Sequence, residues 1–455
     1  MVYSELEFIK DIIMTIDVPR RFHIHTFGCQ MNENDSERLA GALSALGWHP
    51  ASMPEESDLV IVNTCAVREK SVDKLFSYLG RLFIIKKKRP LLIGVAGCVA
   101  QLYRGQILER SPYVDFILGP DNYWRLPEIV RDLKKGKSVS TSWSRRWREA
   151  PQGHIIRDNG ISAYVTIMEG CNNFCSYCIV PFTRGREKFR PLSHIVQEVE
   201  LLAGQGYKEI QLLGQNVNSY RDPGSGSDFA SLLENINRIE GPDWIRFITS
   251  HPKYFDRRTI QVMADSPKIC RQLHLPAQSG SDAVLKRMKR GYTREEYLGK
   301  VALLRREMPE ISLSADIIVG FPGETEIDFE DTLRLLREVR YQGLFSFRYS
   351  TRPHTAAAGF KDSVPLDVKR RRLSHLQEAQ KQIQMETNSR LIGKEMKVLC
   401  MGRSKKDTGV FSGRNEGYQV VNFTSAEDVI GRFVKVMITD CGSYSLKGKM
   451  TSLSG

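Results

Sequence analysis

Between residues 163 and 350 the sequence alternates six apolar, strand-like runs with amphipathic stretches. The runs are AYVTIMEG (163–170), EIQLLGQN (209–216), WIRFITS (244–250), QLHLPAQ (272–278), SLSADIIVGF (312–321) and GLFSFRYS (343–350). Stretches such as SHIVQEVELLAGQG (193–206) and EIDFEDTLRLLREVR (326–340) lie between them. This alternation predicts parallel strands covered by helices. With right-handed crossovers, six such units predict an open, partial (β/α)6 barrel whose ligands meet the carboxyl ends of the strands. Those ends carry Cys171, Cys175 and Cys178 after the first strand, then Gln215 and Asn216, Ser250, Gln278, the GFPGE turn (320–324) and Arg348.

The flanks have other rhythms. FHIHTF (22–27), LVIVNTC (59–65), LLIGVAGC (91–98) and FILG (116–119) predict an N-terminal α/β domain with a parallel sheet, over 20–140. Its first three strands end in or beside Cys29, Cys65 and Cys98, which a parallel sheet would gather at one edge. STSWSRRWREAPQGH (140–154) reads as a linker to the barrel domain, expected over 155–385. DVKRRRLSHLQEAQKQIQMETNSRLIG (367–393) predicts a long basic helix. EMKVLCM, GVFSGRN, YQVVNF and GRFVKVMITD predict a small β-barrel of the oligonucleotide-binding kind, over 388–452. The fold class is therefore α/β with a small β-barrel at its C-terminal end.

Composition narrows the function. A chain of 455 residues, 41% hydrophobic and 26% charged, is expected to be globular, and its longest apolar runs are too short to cross a bilayer. The segment MVYSELEFIKDIIMTIDVPRR lacks the apolar core and cleavage site of a signal peptide, so a cytoplasmic protein is expected. There the nine cysteines serve metal binding or stay reduced. The net charge of +13, with clusters KKKR (86–89), RRWR (145–148), KRMKR (286–290), KRRR (369–372) and RSKK (403–406), fits a polyanionic partner.

Cys171, Cys175 and Cys178 have C-x3-C-x2-C spacing and no fourth ligand nearby. A structural zinc wants four protein ligands. An iron–sulfur cubane fits better, because three thiolates hold three of its irons and leave one open. The stretch EGCNNFCSYCIVPFTRG (169–185) resembles the signature of the radical S-adenosylmethionine (SAM) enzymes. That resemblance implies a 4Fe-4S cluster on these three cysteines as the catalytic site. SAM is chelated at the open iron and cleaved to a 5′-deoxyadenosyl radical, and Tyr177 packs beside the cluster. For SAM it points to Gln215, Asn216, Ser250, Gln278, Arg348 and the Val319–Phe321 backbone.

TFGCQMN (26–32), NTCAVRE (63–69), AGCVAQ (96–101), PFTRGRE (181–187), LHLPAQSGS (273–281), MKRGYT (288–293), DIIVGFPGET (316–325) and YSTRPHTAAA (349–358) resemble the blocks of the radical SAM methylthiotransferases, and the final barrel resembles their TRAM domain. The resemblance spans about residues 20–450. It implies a second 4Fe-4S cluster on Cys29, Cys65 and Cys98 that carries sulfur. The reaction implied uses two SAM molecules and inserts a methylthio group at C2 of N6-isopentenyladenosine 37 in a tRNA anticodon loop. RNA contacts are expected from the final domain, the KRRR helix and Arg184, Arg186 and Arg190. An electron donor such as flavodoxin or ferredoxin is implied, with no membrane partner and a monomeric chain. Two alternatives change the substrate, to threonylcarbamoyl-adenosine in tRNA or to an aspartate of a ribosomal protein. An alternative of another class is a non-catalytic, metal-stabilised RNA-binding protein. The chain departs from the family pattern at Phe189, where serine is usual, and at His354, where glycine is usual.

Overall fold

A computed structural model describes residues 20–66, 69–132, 136–148, 155–157 and 160–454. The signal-peptide reading of the first segment lies outside the described residues but for its last two positions. So do the two positions Val67 and Arg68 of NTCAVRE and the 149–154 part of the expected linker. The chain divides into two compact units. One takes the described residues up to 157 together with Ile179–Lys188, and the other takes 160–178 and everything from Phe189 on.

The first unit is built on six parallel strands: β1 (Arg21–Phe27), β2 (His49–Pro50), β3 (Leu59–Thr64), β4 (Leu92–Ala96), β5 (Phe116–Leu118) and β6 (Ser138–Ser140), in the order β2-β1-β3-β4-β5-β6. Every residue of β3 is buried, as expected of a central strand covered on both faces. Four strands were expected; the two additions are short edge strands with little apolar pattern to announce them. β1, β3 and β4 are immediate neighbours, so their carboxyl ends lie side by side.

Residues 141–148 do not behave as a free linker. Gln101 Nε2 donates to the Thr141 carbonyl (3.0 Å), Asn122 Nδ2 to the Ser142 carbonyl (2.9 Å), and Ser144 N to Asp121 Oδ2 (3.0 Å). The Trp143 ring lies 3.0 Å from where a side chain on Gly185 (φ +76°) would begin. The strip is an outer layer of the N-terminal unit, held by amides whose partners no local pattern reveals.

The second unit holds six further parallel strands: β7 (Ser162–Thr166), β8 (Glu209–Leu213), β9 (Trp244–Phe247), β10 (Gln272–His274), β11 (Ser312–Val319) and β12 (Gly343–Arg348). They pair as β9-β8-β7 and β10-β11-β12, and a parallel bridge between Ile245 and Ile269 marks the passage from β9 towards β10. This is the open partial barrel that the alternation predicts. One face of each strand packs on helices, with Leu212, Phe247, Leu273 and Ile317 buried against Leu202, Leu233, Leu304 and Leu333. Capping boxes at Thr293/Glu296 and Thr325/Asp328 fix where the helices after β10 and β11 begin.

The basic helix spans Leu366–Ser389. After it, β13 (Glu395–Arg403), β14 (Phe411–Asn415), β15 (Val420–Thr424), β16 (Phe433–Cys441) and β17 (Ser445–Leu453) close into a barrel, in the order β13-β14-β15-β17-β16. Four strands were expected. The fifth, SLKGKMTSL, alternates buried Leu446 and Gly448 with exposed Lys447 and Lys449, and its low apolar content concealed it. The β14–β15 turn docks on the lower end of the open barrel. Arg246 of β9, fully buried, donates to the carbonyls of Glu416 (2.5 Å) and Asn415 (2.8 Å) while its Nε meets Glu209 (2.5 Å). Glu416 Oε1 accepts from Arg271 N at 2.9 Å.

Candidate iron–sulfur and cofactor sites

At the edge of the N-terminal sheet the three strand-end cysteines come together. Cys65 N donates to the Phe27 carbonyl at 2.9 Å, which draws the residue after β3 beside the end of β1. The Cys65 thiol hydrogen-bonds to both Cys29 and Cys98. Asn63 ties the layer to the helix Gln30–Ser44: its Nδ2 donates to the Asn32 carbonyl (2.8 Å), and its Oδ1 accepts from Asn32 Nδ2 (3.0 Å). Gly97, at φ +91°, caps the helix that starts at Cys98, and a Cβ there would lie 2.4 Å from Asn63 Oδ1 and 2.8 Å from the Thr64 carbonyl.

The electrostatics favour thiolates. Hydrogen bonding from Cys65, followed by the Arg184 cation, brings Cys98 down to about 6. Cys29 falls to about 7, again with Cys65 as the main cause and Arg184 assisting. Cys65, the shared donor, is raised. Three sulfurs just beyond the ends of three neighbouring strands, two of them drawn towards the thiolate, suit a cubane that takes one sulfur per iron. Among the described residues no three His, Cys, Asp or Glu side chains are arranged to hold one metal ion. Gly97→Ala should lose cluster uptake at this edge. A backbone at φ +91°, ψ −161° alone costs an alanine about 1–3 kcal/mol, and the added methyl displaces Asn63. Iron analysis and thermal melting of the variant check this.

The second set lies in the loop after β7. Cys171 and Cys175 are buried and Cys178 is half-buried. The loop is pinned at many points. Gly170 N (φ +82°) donates to Gln215 Oε1 at 2.5 Å, Ser176 Oγ to the Arg287 carbonyl at 2.8 Å, Ser176 N to the Met288 carbonyl at 3.0 Å, and Ala357 N to the Ser176 carbonyl at 2.7 Å. Asn173 Nδ2 reaches Cys171 Sγ at 3.4 Å, and Tyr254 OH holds Asn173 Oδ1 at 2.8 Å. Tyr177 packs edge-on to Phe321, with ring centroids 6.5 Å apart.

Sequence reasoning passed over Arg290. It is buried, and its guanidinium reaches Cys175 Sγ (3.5 Å) and Tyr177 OH (3.5 Å) and donates to the Pro276 carbonyl (2.9 Å). It stands inside the MKRGYT block, so the block was visible while the role was not. His251 was passed over too. Burial, then the Arg290 and Lys253 cations, lower it to about 2, so its imidazole is neutral, and among the described residues its Nε2 has no hydrogen-bond partner.

The residues expected to hold SAM all stand at or just beyond the carboxyl ends of β8 to β12. Gln215 serves the cysteine loop through Gly170. Asn216 is buried, and its backbone N–H meets Met168 Sδ at 3.3 Å. Ser250 is buried, and its Oγ has no partner among the described residues. Gln278, at φ +70°, is stitched to β11 through Asp316 and Ile318. Val319 and Phe321 are fully buried, and Arg348 is exposed. Ser250 Oγ and His251 Nε2, buried polar atoms left over beside the strand ends, suit a polar cofactor.

The expected RNA contacts need correction. Arg184 is 3% exposed and paired with Asp35 at 2.5 Å, and Arg190, 6% exposed, is paired with Glu198. Of the three, Arg186 alone is exposed. Half of the KRRR cluster is likewise spent inside: Lys369 pairs with Asp362 and Arg372 with Glu324. Phe189 lies edge-on to Tyr220 at 5.9 Å, an apolar contact in the position where the family has serine. His354 adopts φ +65°, which explains why glycine is usual there.

Comparison with known proteins agrees with this arrangement. The family model described as "Uncharacterized protein family UPF0004" matches residues 21–119, the Radical SAM superfamily matches 165–336, and the TRAM domain matches 389–451. The chain is 47% identical over 434 residues to the tRNA-2-methylthio-N(6)-dimethylallyladenosine synthase of Geotalea uraniireducens, covering 94% of this chain and 98% of that protein. It is 45% identical to the Haemophilus influenzae protein of the same name, with 95% and 92% covered. Among solved structures it is similar to the radical S-adenosylmethionine methyltransferase TsrM from Kitasatospora setae, with a TM-score of 0.55, 15% identity, and 75% of this chain and 74% of that one covered. It is also similar to apo OxsB, a cobalamin-dependent S-adenosylmethionine radical enzyme, with a TM-score of 0.52, 12% identity, and 82% and 57% covered. At such identities these two likenesses show a shared fold. The first two relatives decide the family: the chain belongs to the tRNA-2-methylthio-N(6)-dimethylallyladenosine synthases.

Proposed function

We propose that the chain is a tRNA methylthiotransferase that replaces the C2 hydrogen of N6-isopentenyladenosine 37 with a methylthio group. Cys171, Cys175 and Cys178 hold one 4Fe-4S cluster, and Cys29, Cys65 and Cys98 hold a second. Such clusters supply SAM chelation with the electron for its cleavage at the first site, and a sulfur carrier at the other. The observation that carries the reading is the position of Cys29, Cys65 and Cys98 just beyond the carboxyl ends of the adjacent parallel strands β1, β3 and β4, since a radical SAM enzyme of another type would leave those thiols idle.

The chemistry asks for this machinery. The adenine C2–H is neither acidic nor next to a leaving group, so acid–base catalysis has little to act on, whereas a primary carbon radical abstracts that hydrogen directly. The protein's part is to orient and to exclude water. Arg290 and Tyr177 close the space behind Cys175. Ser250 and His251 offer free polar atoms at the strand ends. An anticodon loop presents unstacked bases, the form in which proteins read RNA, and the target base enters the pocket by leaving the stack.

A flavodoxin- or ferredoxin-type donor, a monomeric chain and a cytoplasmic location complete the reading. Among the described residues no helix is long and apolar enough to cross a membrane. Mass spectrometry of tRNA nucleosides from a deletion strain tests the substrate. The expected result is loss of 2-methylthio-N6-isopentenyladenosine with accumulation of its unthiolated precursor. Persistence of the methylthio nucleoside, in a genome with no second copy, rejects the assignment. Loss of the threonylcarbamoyl derivative in its place moves the enzyme to that substrate.

A further inference from the structure

Arg184 is a puzzle for any RNA-contact role. It follows the short helix Val180–Thr183, its own N–H bonded to the Val180 carbonyl at 2.8 Å, and its side chain is as buried as a core leucine. Nη2 donates to Asp35 Oδ2 at 2.5 Å, and Tyr123 OH donates to the same oxygen at 3.3 Å. On its other side the short helix before it packs on the helix Cys98–Arg110, and its cation helps draw the Cys98 thiol towards the thiolate. Among the described residues Nη1 and Asp35 Oδ1 find no hydrogen-bond partner although both are buried. Burying a cation in this way is costly unless it serves something beyond one carboxylate. Nearby, Lys188 is paired with Asp121, which also accepts from Ser144 N, and the turn at Gly185 lies against Trp143. The segment that carries Arg184 is therefore anchored on both sides of it.

We propose that Arg184 is a positioning residue of the N-terminal cysteine site, which donates to the Cys98 sulfur and favours the reduced state of the cluster held there. Hydrogen bonds and positive charge at a ligand sulfur stabilise the extra electron of a reduced iron–sulfur centre and so raise its potential. Asp35 acts in the opposite sense, because its carboxylate holds Arg184 in place while offsetting its charge. The two side chains together set the potential, and they set it with opposite signs. A merely structural ion pair has no such signature. The inference rests on the assignment of Cys29, Cys65 and Cys98 as cluster ligands.

The test uses the full chain with Cys171, Cys175 and Cys178 replaced by alanine, so that one cluster remains to be titrated. Iron analysis comes first: absence of iron in this parent overturns the ligand assignment itself, before any potential is read. Dithionite titration followed by electron paramagnetic resonance then measures the one-electron midpoint. Arg184→Gln should lower it, shifting the oxidised-to-reduced ratio at fixed potential about tenfold, which is about 59 mV for one electron. Asp35→Asn should raise it. Unchanged midpoints in both, or shifts of the same sign, overturn the proposal. Should Arg184→Gln fail to hold iron, Arg184→Met, which also removes the charge and the donors, takes its place, and the same two criteria decide.

Discussion

Cys29→Ala in the full chain is expected to abolish methylthio transfer to RNA, to leave SAM cleavage to 5′-deoxyadenosine intact, and to lower iron from about eight to about four per chain. The separation follows from the placement of the two sets. Cys29 lies at the exposed lip of its site, and its backbone carbonyl, which accepts from Asn32 and Glu33, is unaffected by an alanine side chain. The fold therefore survives. What is lost is one of three sulfurs, and two thiolates do not retain a cubane. Cys171→Ala should behave differently and lose both products, because its loop serves the radical step. Iron analysis, quantified 5′-deoxyadenosine and nucleoside mass spectrometry on the same preparations separate the two cases. Full methylthiolation by Cys29→Ala would contradict the division of labour between the two sites.

The largest stability effect is expected at Arg246. Arg246→Ala should cost about 3–5 kcal/mol, the range for breaking a buried pair and leaving one charge behind. Glu209, 1% exposed, would keep the Ser162 hydroxyl (2.8 Å) and the Gln211 amide (2.7 Å), while the Glu416 carbonyl would lose the guanidinium and the Asn415 carbonyl would be left with Tyr418 N (3.0 Å). Combining Arg246→Met with Glu209→Gln should recover part of the loss, since the stranded charge is then gone. Urea unfolding of the three proteins measures this. A loss below about 1 kcal/mol in Arg246→Ala, typical of exposed pairs, would mean that water reaches the site and that the bridge is weak.

Sequence and structure agree where the signal is local. Apolar runs announced the parallel strands and placed the cysteines beside their ends, because strand direction and strand order bring such positions together without further information. The arginines were misjudged for the opposite reason. Arg184 and Asp35 are 149 positions apart, and Arg372 and Glu324 are 48 apart. No local pattern pairs a cation with so distant a carboxylate, so an interior ion pair reads as surface charge. Arg290 escaped notice for a related reason: its partners are a thiol and a phenol of the cysteine loop and a carbonyl from a separate segment. β17 was missed because a lysine-bearing alternation looks like a loop until the barrel that needs it is complete.

The turn at Asn415–Tyr418 bears on how this enzyme can be dissected. Cutting the chain after residue 388 would do more than remove an RNA-binding module, because it would uncork a guanidinium and Trp244, which now packs edge-on to Phe433 at 4.7 Å. A truncated protein that fails on tRNA would then be reporting a damaged barrel floor as much as a missing grip. Charge reversal at Lys447 and Lys449, which face solvent on the far strand, probes RNA affinity with the floor left whole.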